Sequence, residues 1–74
     1  MDKSFQEKVG LRVFELRKEK NLSQQKLAVD ANIERSHITH IEKGKKNISL
    51  STLERLINAL ELDIPSFFDD KNFK

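Results

Sequence analysis

Apolar residues along the chain recur at three- and four-residue intervals, the period of a helix buried on one face, and no strand signal interrupts them. Phe5, Val9, Val13 and Leu16 form the first stripe. Ser4 precedes it with Glu7 three positions on, the spacing of a capping box, so the pattern predicts a helix from about Phe5 to Lys20. Asn21 follows as a residue that tolerates the left-handed conformation of a helix end. Ser23 is a good N-cap for a second, short helix through Ala31, with Leu27, Ala28 and Ala31 inward. Asn32 and Ile33 make a turn. A third helix is expected from about Arg35 to Lys43, with Ile38 and Ile41 facing the core and Gly44 just beyond its end. Lys45, Lys46 and Asn47 form a polar loop. Ser49 or Ser51 caps a fourth helix carrying Leu53, Leu56, Ile57 and Leu60; Ser51 has Glu54 at capping-box spacing, so two starts remain open. Asp63-Ile64-Pro65 reads as a cap with proline in the first turn of a fifth short helix bearing Phe67 and Phe68. From Asp70 onward the end is expected to fray.

Five short helices make an all-α fold, and at 74 residues the chain is a single domain, residues 1–74. The second and third helices, residues 23–43, have the spacing of a helix-turn-helix. A helical core this small is marginal, and burial against a second copy would add to it. The chain has no cysteine, which excludes a disulfide framework, a zinc finger and a thiol nucleophile. The net charge of +2 is too slight to argue for nucleic acid, so placement of charge matters more than its sum. Neither a signal peptide nor an apolar run of membrane-spanning length is present, and a cytoplasmic protein without a membrane partner is expected.

The apolar residues Leu27, Ala28, Ile33, Ile38 and Ile41 would sit in the angle where two short helices cross, with small Ala28 permitting close approach. The opposite face of the third helix then shows Arg35, Ser36, His37, Thr39, His40 and Lys43. It holds one arginine, several short hydrogen-bonding groups and no large apolar residue, the side chains that reach base edges in a major groove.

Leu16-Arg17, Leu22-Ser23-Gln24, Leu27-Ala28, Ile38 with Ile41-Glu42-Lys43-Gly44, and the run Leu53 to Leu60 together resemble the lambda-repressor-like helix-turn-helix domain of the Xre/Cro family of bacterial and phage regulators. The small size and aromatic end also resemble the controller proteins of restriction-modification systems. The resemblance implies a regulator that binds a double-stranded DNA operator. Gln24 matches a phosphate-contacting glutamine at a helix N-terminus, where free N–H groups favour anions, and Gln25 stands beside it. Arg35, Ser36 and His40 match base-reading positions, with His37 and Thr39 alongside. Arg35 suits guanine, since its fork matches O6 and N7 together. Lys43, Lys45, Lys46 and Asn47 match a loop that grips the backbone. Arg17 and Glu42 match an internal salt bridge. Three departures stand out: Asn21 and Asn32 occupy positions often held by glycine, Glu34 is a poor N-cap, and Ile48 replaces a common proline.

Adjacent aromatics on one helix cannot both point inward, because neighbours lie about 100° apart. Phe67 and Phe68, with Leu62 and Ile64, are therefore expected to form a two-fold homodimer interface that sets two recognition helices on a near-palindromic site. Acidic Glu61, Asp63, Asp69 and Asp70 collect near the C-terminal end, where they could touch RNA polymerase; repressor and activator both remain open. An antitoxin-like interaction module is the competing reading, weakened by the lack of an obvious disordered extension. An enzyme is not expected, as there is no nucleophile–base pair and no glycine-rich phosphate loop. No cofactor, small-molecule ligand or metal is implied: His37 and His40 share a helix face but lack an obvious third ligand.

Overall fold

Side-chain caps set the starts of four of the five α-helices. The computed structural model describes residues 3–45 and 47–74, and its helices are α1 (Phe5–Glu19), α2 (Gln24–Ala31), α3 (Arg35–Glu42), α4 (Leu50–Ala59) and α5 (Ile64–Phe68), followed by a short 3-10 turn, Lys71–Phe73. Ser4 and Glu7 form the reciprocal capping box, with Glu7 N–H donating to Ser4 Oγ at 3.2 Å and Ser4 N–H to Glu7 Oε1 at 2.8 Å. Ser23 caps α2 and Asp63 caps α5, with Pro65 in the first turn. Ser49 rather than Ser51 caps α4, its Oγ accepting the Thr52 N–H at 3.1 Å. The earlier start adds helix and leaves Ile48 and Leu53 at the two positions of a hydrophobic staple. Glu34 makes no side-chain cap for α3.

The ends of α1 to α4 share one closing geometry. A residue at positive φ (Asn21, Asn32, Gly44 and Glu61 in turn) reverses the chain. The next N–H then reaches back to a carbonyl five residues earlier, as Leu22 does to Arg17 at 2.9 Å and Lys45 to His40 at 3.0 Å. Both asparagines thus do what glycine often does. Glu61, with no such preference, is held there by the packing of Leu60 and Leu62 on either side.

The core draws Val9, Val13 and Leu16 from α1, Leu27, Ala28 and Ala31 from α2, and Ile38 and Ile41 from α3. Leu53, Leu56, Ile57 and Leu60 of α4 and Phe67 of α5 complete it. Gly10 permits the approach of α1 to α3, because a Cβ there would run into the Ile41 carbonyl oxygen. Phe5 departs from its stripe: it is 62% exposed, with its ring stacked 6.1 Å from that of Phe68.

The C-terminal segment does not fray. Asp70 caps the last turn, and the Arg12 guanidinium donates to Asp70 Oδ1 at 3.2 Å, to the Phe67 carbonyl at 2.7 Å and to the Ser66 carbonyl at 2.9 Å. Asn72 Nδ2 donates to Glu15 Oε1 at 3.0 Å. Phe73 packs against Phe68 with ring centroids 4.9 Å apart. These contacts, to Arg12 and Glu15 of α1 and to Phe68 of α5, supply the burial that terminal residues ordinarily lack.

Candidate nucleic-acid interface

Leu27, Ala28, Ile38 and Ile41 are buried in the crossing of α2 and α3, with Ile33 partly buried in the turn. That crossing turns Arg35, Ser36 and His40 outward as exposed side chains, with His37 and Thr39 half-buried beside them. At the start of α2, Ser23 Oγ accepts the Lys26 N–H at 3.0 Å. The N–H groups of Gln24 and Gln25 lie ahead of that bond, in the part of the helix that has no internal acceptors. Lys43, Lys45 and Asn47 are exposed beyond α3. Lys46 lies outside the described residues. The loop begins from a fixed point: Gln6 Nε2 donates to the Gly44 carbonyl at 3.1 Å, and Gly44 at φ +70° leaves no room for a Cβ against Glu7.

Behind this face lies a polar chain linking three helices. Arg17 places Nε 2.7 Å from Glu42 Oε2 and Nη2 3.0 Å from Oε1, while Nη1 donates to the Leu22 carbonyl at 2.9 Å. Both side chains are withdrawn from water, at 9% and 5% exposure, so this is a buried pair rather than a surface one. Gln24 Nε2 donates to Glu42 Oε1 at 3.2 Å, and Thr39 Oγ1 donates to Gln24 Oε1 at 3.1 Å. The same Thr39 hydroxyl lies 3.3 Å from the Arg35 carbonyl. Thr39 therefore turns across to α2, not straight outward with Arg35 and His40. Among the described residues no three His, Cys, Asp or Glu side chains are placed to hold a metal ion.

On another side, α4 and α5 leave an apolar groove of about 500 Å³ lined by Phe5, Leu50, Leu53, Ile57, Ile64 and Phe68. Leu50 is 85% exposed and Ile64 54%. Leu62 and Phe68 are half-buried. Phe67 corrects the expectation made for it: its side chain is fully buried and forms part of the monomer core, so it offers no surface to a second copy.

A helix-turn-helix family model matches residues 13–67. The chain belongs to this helix-turn-helix family. An immunity repressor protein of Bacillus phage phi105 is 40% identical over 63 residues, 85% of this chain but 44% of the repressor, so the chain spans less than half of that relative. The control protein C.MunI of a Mycoplasma species is 37% identical over 62 residues, covering 82% of this chain and 84% of its own. Among solved structures, the wild-type restriction-modification controller protein C.Esp1396I matches with a TM-score of 0.85 and 32% identity over 90% of each chain. The controller protein C.AhdI from Aeromonas hydrophila matches at 0.81 with 36% identity, covering 85% of this chain and 96% of its own. C.Esp1396I has also been solved as a tetramer in complex with its natural 35 base-pair operator.

The all-helical architecture is that of these controller proteins, and the chain is a helix-turn-helix DNA-binding regulator of their type, not an enzyme. No helix among the described residues is long and apolar enough to cross a membrane. Within the helix-turn-helix, the structure leaves Arg35, Ser36 and His40 exposed on α3 with His37 half-buried beside them, and Lys43, Lys45 and Asn47 are exposed after it. Three residues of consequence escaped the sequence pattern. Phe5 and Leu50 open the apolar groove; Leu50, an isolated apolar residue between two serines, was the available signal. Arg12 had no readable partner, because two of its three acceptors are main-chain carbonyls.

Proposed function

We propose that the protein is a sequence-specific transcriptional regulator that binds double-stranded operator DNA as a homodimer and governs restriction-modification genes. The observation that carries this reading is the exposed face of α3, whose polar side chains stand clear of a core that fixes the helix from behind. Arg35, Ser36, His37 and His40 read base edges in the major groove. Gln24, Gln25, Lys43, Lys45, Lys46 and Asn47 contact phosphates and set the register. The similarity to C.MunI and C.Esp1396I supports the restriction-modification role. The apolar groove around Ile64 and Phe68, extended by Phe5 and Leu50, supports the homodimer, since a two-fold axis through such a patch buries it against itself. Two recognition helices then lie one DNA turn apart, about 34–36 Å, on a near-palindrome. The dimer acts in the cytoplasm, covering a promoter against RNA polymerase or presenting a surface to it according to where its site lies.

Selection of a random duplex pool by the purified protein tests this. An enriched near-palindrome with half-sites one helical turn apart is the expected result; no enrichment at low salt would overturn the reading and favour a protein partner. In sedimentation at micromolar concentration, Ile64→Asp is expected to yield monomer where the native chain yields dimer. An unchanged profile would place the interface elsewhere.

A further inference from the structure

We propose that Thr39 is a positioning residue for Gln24 and not a reader of bases: with Glu42 and Arg17 it fixes the Gln24 side chain before DNA arrives. The inference rests on the reading above that Gln24 grips a phosphate. The orientation of the Gln24 amide is dictated by charge. Glu42 carries no donor, so the amide must present Nε2 to it, and it does so at 3.2 Å. Oε1 then faces Thr39, whose hydroxyl donates at 3.1 Å. Glu42 cannot swing away, because Arg17 occupies both its oxygens, at 2.7 and 3.0 Å.

The donor count shows what this achieves. Nε2 has two hydrogens; one goes to Glu42, and the other remains for an acceptor outside the protein. A free glutamine would lose rotamer freedom on gripping a phosphate, and here that loss has already been met in folding. Thr39 has a single hydroxyl hydrogen. Its two acceptors, Gln24 Oε1 and the Arg35 carbonyl at 3.3 Å, both belong to the protein. The carbonyl four residues back is the usual fallback of a helical threonine, so without Gln24 the hydroxyl still has an internal partner. Neither state leaves a hydrogen for a base. The network also covers the Glu42 charge, which would otherwise repel the strand that Gln24 holds.

The test uses the full chain and the operator found by pool selection, with affinities measured at fixed salt for that site and its single base-pair variants. Thr39→Val is expected to weaken binding about three- to tenfold, the scale of one hydrogen bond, and equally for every sequence. Thr39→Ser is expected to bind as the native chain does. On a Gln24→Ala background, Thr39→Val is expected to add no further loss, since the group it positions is gone. Melting temperatures of the variants establish that the fold is kept. If the Thr39→Val loss falls on one base position, or persists in full on Gln24→Ala, Thr39 reads DNA itself and the proposal is overturned. Native binding by Thr39→Val alongside weakened binding by Gln24→Ala overturns only the positioning role. Native binding by Gln24→Ala overturns the phosphate role of Gln24 as well.

Discussion

Two arginines on α1, five residues and so about 140° apart around the helix, hold opposite flanks of the molecule. Arg17 reaches toward α3 and forks onto the Glu42 carboxylate at its end. Arg12 reaches toward the C-terminal side, where it gathers two main-chain carbonyls at the end of α5 and the carboxylate of Asp70. Both are nearly withdrawn from water, yet they do different work. Arg17 neutralises a buried charge and anchors the chain of polar side chains that runs through Glu42 and Gln24 to Thr39. Arg12 acts as a C-cap for a helix of five residues, too short to hold together by its own hydrogen bonds. The first joins two side chains, so it leaves a mark in the sequence. The second rests mostly on backbone carbonyls, which any residue would supply.

Breaking each clasp separates their roles. Glu42→Ala strands the Arg17 guanidinium in the interior and should cost about 3–5 kcal/mol in urea unfolding. A loss near 1 kcal/mol would mean that water reaches Arg17 after all. Arg12→Met keeps most of the side-chain bulk and removes only the charged hydrogen bonds, for a smaller loss of about 1.5–3 kcal/mol. Its effect should appear first as faster amide exchange at Phe67 to Phe73, with α2 and α3 protected as before. Equal exchange in both flanks would show that the two clasps report on one cooperative unit. Arg35→Ala touches neither clasp: stability should stay unchanged, while discrimination at one base position per half-site falls by about 1–3 kcal/mol.

The smallest effect is one of pH. The Asn72 backbone N–H holds the Asp70 carboxyl below its usual range, and the Arg12 and Lys71 charges add to that against some desolvation. A carboxylate depressed in the folded state contributes stability that is full above its unfolded pKa of about 3.9 and is lost as pH falls through the folded value. Asp70→Asn should therefore differ from the native chain at pH 7 and converge with it below about pH 4. A gap that is the same at both ends of that range would assign the clasp to the backbone carbonyls alone.

Much of the fold was legible because its signals are local. Ser4 with Glu7, Ser23, Asn21, Asn32 and Gly44 each act within a turn of where they stand, and the helices begin and end at them. The start of α4 was ambiguous for the same reason: Ser49 and Ser51 are equally good local caps, and the structure uses Ser49, with Ile48 packed on the core just before it. On the exposed face of α3, which residues stand there could be read from the pattern, but the direction of the Thr39 hydroxyl could not. It depends on Gln24, fifteen positions away on another helix. The adjacent phenylalanines show the same division. Helical geometry requires that they diverge, and they do, but only the tertiary arrangement assigns Phe67 to the core and Phe68 to its edge.

The sequence by itself thus determined the helices, most of their ends, the helix-turn-helix and the set of polar residues on α3, because periodicity and caps act over a few residues. The tertiary structure alone decided that the C-terminal segment folds back onto α1, that Gly10 must lack a side chain, and that Phe5 and Leu50 face outward beside Ile64. Each of these depends on which surfaces meet across the chain, and that is set by the packing of the whole core rather than by any local pattern.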